Sequence, residues 1–467
     1  MSYSDPVFFL FYATVFFFYY LARNARQQVI VLVISSLFFY AYESPLLLIV
    51  FLCSWFVTSL SSYKVLISAP RSLNAKLFAI IGVLTNLGML GFFKYKFLVI
   101  DHAVIQSSQA IGDWLLSAPL PVGISFYTFH GISLLVDVFR GNNAIILQKQ
   151  NRLSKHLLDT LLYLVFFPQL IAGPIIKARD FYPQVSRKYF RDVDFYSSIR
   201  ILILGFFLKR VIADNLSDQT FWIEYPYFLG RSSIDLMLML YGYSMQIFSD
   251  FAGYSLIAIG LAKLLGYTLP DNFNFPYLAS SIADFWRRWH ISLSSWLRDY
   301  LYIPLGGSRY GSTRMYFNLV VVMLLGGLWH GAALSFVIWG LWHGIGLVIE
   351  RPWLESRFFT STNWFIQVIR IFFVFNFVAI GWLFFKLQDF SHAWLYLKAI
   401  VHSDIGGVSR GIALYIVLYG SSIFVYHMCS LYKGRISANI KDIIYVGMVF
   451  FIVTNSGSSK PFIYFQF

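Results

Sequence analysis

The chain has 467 residues, of which 58% are hydrophobic and only 12% charged. A water-soluble domain runs nearer a quarter charged, so this balance excludes an ordinary soluble globule. Lys and Arg number 36 against 22 Asp and Glu, a formal +14; in so apolar a chain this points to cytoplasmic loops beside anionic lipid and not to nucleic acid.

Apolar runs begin at about residues 6–22, 29–42, 46–62, 77–93 and 120–139. They continue at about 157–176, 197–213, 235–265, 315–331, 334–350, 364–385, 411–430 and 442–455. None alternates with the period of two that a barrel strand requires. The expectation is an all-α polytopic membrane protein of roughly 11–13 transmembrane helices. Phe, Tyr and Trp make up 20% of the chain, which suits a surface facing lipid and headgroups. With no long repeat and no low-complexity linker, residues 1–467 read as a single integral-membrane domain. The first run has no basic residue before it and Arg23 and Arg26 after it, the reverse of a cleavable signal peptide, so it reads as a retained first span.

Basic clusters set the expected topology. Arg23/Arg26, Lys64/Arg71/Lys76 and Arg140/Lys149/Arg152/Lys155 read as cytoplasmic, with the N-terminus outside. The run 157–176 is followed by Lys177, Arg179, Arg187, Lys188 and Arg191, so it has basic clusters on both sides. It also contains Phe167-Pro168-Gln169 and Ala172-Gly173-Pro174, which break a helix. A re-entrant segment at about 157–176 meets both conditions, because irregular backbone at depth must be buried in protein or line a cavity. The polar stretch 268–314 reads as cytoplasmic at its ends. Its Trp286, Trp289, Trp296, Tyr300 and Tyr302 assign it to the membrane interface or a cavity instead of free solvent.

The chemistry points to histidine. Cys53 and Cys429 both sit in apolar runs, and no Cys-x-x-Cys, His-x-x-x-His or His-Glu-x-x-His spacing occurs, so no metal site is expected. Neither a Gly-x-Ser-x-Gly elbow nor a Gly-rich phosphate loop ending in Lys-Ser or Lys-Thr is present. Six of the nine histidines (His102, His130, His156, His392, His402, His427) have uninformative surroundings. The other three stand in Trp-Arg-Arg-Trp-His290 and in two Gly-Leu-Trp-His-Gly pentapeptides carrying His330 and His343. An ionisable group in an apolar span is expensive and is a functional candidate by default. The pentapeptides, at 327–331 and 340–344, are offset by thirteen residues. On one straight helix that offset rotates about 220° and puts the histidines on different faces unless the chain breaks near Gly331-Ala332. Glycines at i and i+4 also suit close helix packing. Neutral imidazole is a suitable proton acceptor for an attacking hydroxyl.

At these residues a family becomes recognisable. Asp284-Phe285-Trp286-Arg287-Arg288-Trp289-His290-Ile291-Ser292-Leu293-Ser294 runs on through Trp296-Leu297-Arg298-Asp299-Tyr300 to Ile303-Pro304-Leu305-Gly306-Gly307. Together with Leu325-Gly326-Gly327-Leu328-Trp329-His330-Gly331-Ala332, it resembles the membrane-bound O-acyltransferase (MBOAT) family. Ser125-Phe126-Tyr127-Thr128-Phe129, Phe167-Pro168-Gln169 and the terminal Pro461-Phe462-Ile463-Tyr464-Phe465-Gln466-Phe467 are similar to its bacterial alginate and exopolysaccharide O-acetylation branch. One departure is His130, where that branch's pattern leads to glutamine.

The resemblance implies many helices around a central tunnel, with His330 as the essential histidine and His290 as the second motif position. It implies a bacterial inner-membrane, multi-pass O-acetyltransferase that takes acetyl groups from cytoplasmic acetyl-CoA, a substrate and not a bound cofactor. The acceptor would be an exopolysaccharide such as alginate or cellulose. Partners would be a periplasmic acetyltransferase of the SGNH-hydrolase-like type and the polysaccharide-synthesis machinery. Donor-side candidates are Trp286, Arg287, Arg288, Arg298, Asp299, Trp329 and His343. The arginines enter because guanidinium pairs bidentately with phosphate, although they equally suit headgroup anchoring. Peptidoglycan or teichoic acid as acceptor, and a transporter lined by His330 and His343, are the alternatives.

Overall fold

A computed structural model describes residues 1, 3–42, 45–103, 119–141, 152–170, 173–403, 406–431 and 437–463. Lys149, Ala172 and residues 464–467 of the sequence motifs lie outside them. Among the described residues the chain is helices and loops with no β-strand.

Two compact units form. The first comprises Met1–Ser198 and Ala258–Pro270, the second Ile199–Ile257 and Asp271–Phe467. In the first run α1 (Pro6–Leu21), α2 (Ala25–Ala41), α3 (Pro45–Ile67), α4 (Leu73–Ala103), α5 (Ile124–Phe139), α6 (Leu153–Val165) and the short α7 (Phe167–Leu170). After it come α8 (Phe195–Phe206), a π-helical stretch Phe207–Ala213, α9 (Asp214–Thr220) and α10 (Ser233–Leu264). The 265–310 stretch contains α11 (Ile282–Arg288), α12 (Ile291–Leu297) and a second π-helical stretch, Arg298–Tyr302. Next are α13 (Gly311–His330), α14 (Leu334–Glu350), α15 (Trp364–Lys386), α16 (Phe390–His402), α17 (Arg410–Ser430) and α18 (Ala438–Thr454).

Local sequence starts these helices. Pro6 occupies the first turn of α1, where its missing N–H costs nothing. Asn24, Ser281 and Ser437 cap α2, α11 and α18 by accepting from the backbone N–H of Gln27, Asp284 and Ile440. Among the described residues six helices are long and apolar enough to cross a membrane: α3, Leu73–Lys96 of α4, α10, α13, α15 and α17. At about 1.5 Å per residue, a 20-residue helix spans the roughly 30 Å hydrocarbon core. The apolar helices α1, α2 and α5 are shorter. Phe9, Leu10, Leu84, Phe373 and Phe450 stand exposed on these and neighbouring helices, a cost in water and an ordinary state in lipid. The protein is an all-α polytopic membrane protein.

In the first unit, the run read from sequence as 157–176 is not one helix. It stops at Val165, Phe166 turns out of helical geometry with ψ 101°, and α7 lasts only four residues. The break is internally satisfied. Tyr3 Oη donates to the carbonyls of Phe167 (3.1 Å) and Pro168 (3.0 Å), and Phe167 N donates to Ser36 Oγ (3.2 Å). Gly173 is required here, since a Cβ on it would lie 2.4 Å from Gln169 Cα. His130, the departure noted above, is fully buried on α5 with its ring 5.1 Å from that of Tyr163.

Candidate functional site

All the site residues singled out in the sequence lie in the second unit, on α11, at the junction of α11 and α12, on the π-helical turn after α12, and on α13 and α14. The two Gly-Leu-Trp-His-Gly motifs form the facing surfaces of a helical hairpin. Helix α13 ends at His330, Gly331 is extended with φ −173°, and α14 begins at Leu334. The chain therefore breaks at Gly331, the condition under which both histidines can approach one place. The motif glycines let the helices close. A Cβ on Gly327 would lie 2.2 Å from the carbonyl oxygen of Phe336, and one on Gly340 would lie 2.5 Å from that of Met323. The imidazoles of His330 and His343 then flank one indole, with ring centroids 5.1 and 5.0 Å from that of Trp339.

The two histidines are not equivalent. His330 lines a cavity of about 410 Å³ whose wall also carries Trp286, Arg287, Arg298, Tyr302 and Trp339. His330 itself is 6% exposed, held edge-on by Phe385 and Trp339 at 5.0 and 5.1 Å. His343 is fully buried behind Trp339, among Phe285, Trp286 and Phe377, and is not in that wall. Gly381 makes room for it, since a Cβ there would lie 2.8 Å from His343 Nε2. The sequence candidates thus separate into a cavity set and a packing set.

The arginines separate in the same way. The side chains of Arg287 and Arg298 are 72% and 62% exposed at the cavity. Arg287 stands 3.8 Å from Asp284, while Arg298 Nε donates to Asp299 Oδ1 at 2.8 Å. Asp299 is buried and serves as the anchor of Arg298. Arg288 points elsewhere: its Nε donates to Asp284 Oδ2 at 2.8 Å, and it is absent from the cavity wall. Asp284 sits in the first turn of α11, whose N-terminal amides of Ile282 and Ala283 are also capped by the Glu350 carboxylate.

His290 lies off the cavity, between α11 and α12, in the left-handed region with φ +42°. Its ring is buried against Phe251 (4.7 Å) and Trp329 (6.3 Å), so Trp329 is the aromatic between the two motif histidines. Burial pushes the His290 imidazole down to about 3 from its ordinary value. Trp339 is not among the sequence candidates, although it immediately precedes the second pentapeptide; Tyr302, one of the aromatics that assign 268–314 to the interface or a cavity, does line a cavity.

The protein is thus a polytopic helical membrane protein with a buried histidine at a helix end, beside a cavity edged by exposed guanidinium groups. The sequence profile of the MBOAT, membrane-bound O-acyltransferase family, matches residues 143–388, more than half of the chain and all of the site. The chain belongs to this family. It is 38% identical over 329 residues to a protein of Azotobacter vinelandii named probable alginate O-acetylase AlgI, covering 69% of this chain and 62% of that one. It is 36% identical over 355 residues to the peptidoglycan O-acetyltransferase of Helicobacter pylori, covering 72% of this chain and 66% of the other. It is 31% identical over 287 residues to the teichoic acid D-alanyltransferase of Bacillus subtilis, covering 58% and 70% respectively. The match to the Azotobacter protein thus spans less than two thirds of that relative's length.

Proposed function

We propose that this protein is a bacterial inner-membrane O-acetyltransferase that passes acetyl groups from cytoplasmic acetyl-CoA toward hydroxyls of an extracytoplasmic polysaccharide. The observation that carries the reading is the single cavity lined by His330, Arg287 and Arg298. In this reading the exposed guanidinium groups pair with the donor's phosphates. His330 takes the proton from the attacking hydroxyl as its oxygen adds to the thioester carbonyl carbon. The tetrahedral intermediate then expels the thiolate, which recovers the proton, so the products are an O-acetyl ester and free thiol. Trp286 and Trp339 hold the imidazole side of the cavity, and His343, behind Trp339, supports that indole instead of meeting substrate.

The acceptor follows from the relatives' names and is held at their common chemistry, a polymer hydroxyl. Alginate is favoured because the relatives named for it are among the most similar, and cellulose remains in the same class. Peptidoglycan is the next candidate. A periplasmic acetyltransferase and the polymer-synthesis machinery are the expected partners. The test is turnover of labelled acetyl-CoA by the full chain in nanodiscs, with alginate oligomers as acceptor and with each arginine and His330 replaced in turn. Loss of thioester on wild-type protein and none on His330→Ala supports the reading. Movement of substrate across a bilayer without acetyl loss points to the transporter instead.

A further inference from the structure

The second motif histidine is held by a residue that carries no motif signal of its own. Segment 272–275 lies alongside 288–291 through two backbone hydrogen bonds, Asn274 N to Arg288 O and Ile291 N to Asn272 O, both 2.9 Å. This pairing presses the Asn272 side chain against His290. Asn272 is 1% exposed, and all of its side-chain contacts are to buried groups. Its Nδ2 lies 2.9 Å from Ser255 Oγ, while its Oδ1 lies 2.6 Å from Ser292 Oγ and 3.2 Å from His290 Nδ1.

Those lengths orient the amide. A separation of 2.6 Å is ordinary for O–H···O and short for N–H···O, whereas 2.9 Å is the usual N–H···O length. The oxygen of Asn272 therefore faces Ser292 and His290, and its NH₂ faces Ser255. An oxygen at that place can only accept, so His290 Nδ1 must carry the hydrogen. The other ring nitrogen, Nε2, then bears the lone pair. It is buried and has no hydrogen-bond partner among the described residues. A buried acceptor without a partner is costly and calls for an explanation, and His290 also occupies a left-handed backbone position, of the kind that concentrates at functional sites.

We propose that Asn272 is a positioning residue for acyl transfer: it locks His290 in the Nδ1–H tautomer, so that Nε2 is the ring nitrogen left to accept a hydrogen bond, across Trp329 from the base His330 at the cavity. This rests on the reading of the protein as an O-acetyltransferase and adds to it a part for His290, the second motif position. The groups around the imidazole are Phe251 on α10, Trp329 on α13 and Asn272 on the 272–275 segment, whose amide oxygen also accepts from Ser292 of α12. Burial alone accounts for the shift of the ring, with no charged side chain contributing.

The test uses the full chain in nanodiscs with labelled acetyl-CoA, comparing Asn272→Leu, Asn272→Asp and His290→Ala, with thermal unfolding as the check on folding. Asn272→Leu removes the acceptor that fixes the tautomer and should lower kcat by on the order of 10²-fold or more, with the KM for acetyl-CoA unchanged. Asn272→Asp keeps the oxygen and adds a charge beside the ring. It should retain turnover and bring an acidic limb up into the neutral range of the pH–rate profile, a change that a merely structural role would not produce. Nitrogen-15 NMR of histidine-labelled wild-type protein, assigned by difference against His290→Asn, should show an unprotonated Nε2 at neutral pH, and it needs no folded Asn272 variant. A protonated Nε2, or Asn272→Leu turning over like wild type, overturns the proposal while leaving the transferase reading intact. Wild-type turnover by His290→Ala overturns both the proposal and the part given to His290.

Discussion

The hairpin of α13 and α14 makes a demand on single atoms that can be tested with adjacent glycines. A Cβ added to Gly327 meets the backbone carbonyl of Phe336 at 2.2 Å, so the obstruction is main chain and cannot rotate away. Ordinary contact needs more than 3 Å, so the helices must part by on the order of 1 Å. Overpacking of this kind costs about 1–3 kcal/mol, and a backbone obstruction belongs at the upper end. Because His330 lies three residues on, on the last turn of the same helix, a displacement of about 1 Å at the reacting group corresponds to a rate loss on the order of 10²-fold. The neighbouring Gly326 is the control: its added Cβ finds only Leu297 Cδ1, at an ordinary 3.6 Å. Gly326→Ala should be neutral or slightly stabilising, since alanine gains roughly 0.5–1 kcal/mol over glycine within a helix. The assay is thermal unfolding in detergent together with turnover of labelled acetyl-CoA. Gly327→Ala should unfold at lower temperature and turn over about 100-fold more slowly. Equal stability and turnover for the two variants would refute the hairpin geometry.

Charge reversal at Arg287 or Arg298 should raise the KM for acetyl-CoA several-fold at low salt, and reversal at Arg288 should not, because only the first two line the cavity; equal effects at all three would point to headgroup anchoring. For His290, depressed to about 3 in the fold, the unfolded chain binds a proton below about pH 6.5 that the native protein refuses. Its contribution to stability is thus full above pH 6.5 and is lost as pH falls toward 3, by up to about 1.4 kcal/mol per unit. Thermal unfolding of wild type should therefore fall with acid more steeply than that of His290→Asn, and parallel curves would contradict the burial argument.

The sequence made the fold class legible because lipid imposes one solution on the backbone: apolar runs must be helices when no strand period exists. It also marked a break close to Pro168, since a missing N–H is a local fact, and the helix ends three residues earlier, at Val165. It did not reveal how the break is repaired, because Tyr3 and Ser36 are remote in the chain and look ordinary there. His330 stood out as an ionisable residue ending an apolar run, and the thirteen-residue offset correctly posed the question of a break at Gly331. The roles of His343, Arg288 and Asn272 were not legible. Motif membership did not distinguish the guanidinium that edges the cavity from the one turned to Asp284, and Asn272 meets His290 only across eighteen residues of chain.

The most direct measurement of the central claim is acetyl transfer by purified wild-type protein and His330→Ala, each in nanodiscs and matched for thermal stability. Given labelled acetyl-CoA and an alginate oligomer with its periplasmic partner, the wild type should release thiol and yield O-acetyl ester, while His330→Ala should lose about 10²–10⁴-fold in rate with donor affinity retained. Wild-type turnover by a folded His330→Ala protein would contradict the account.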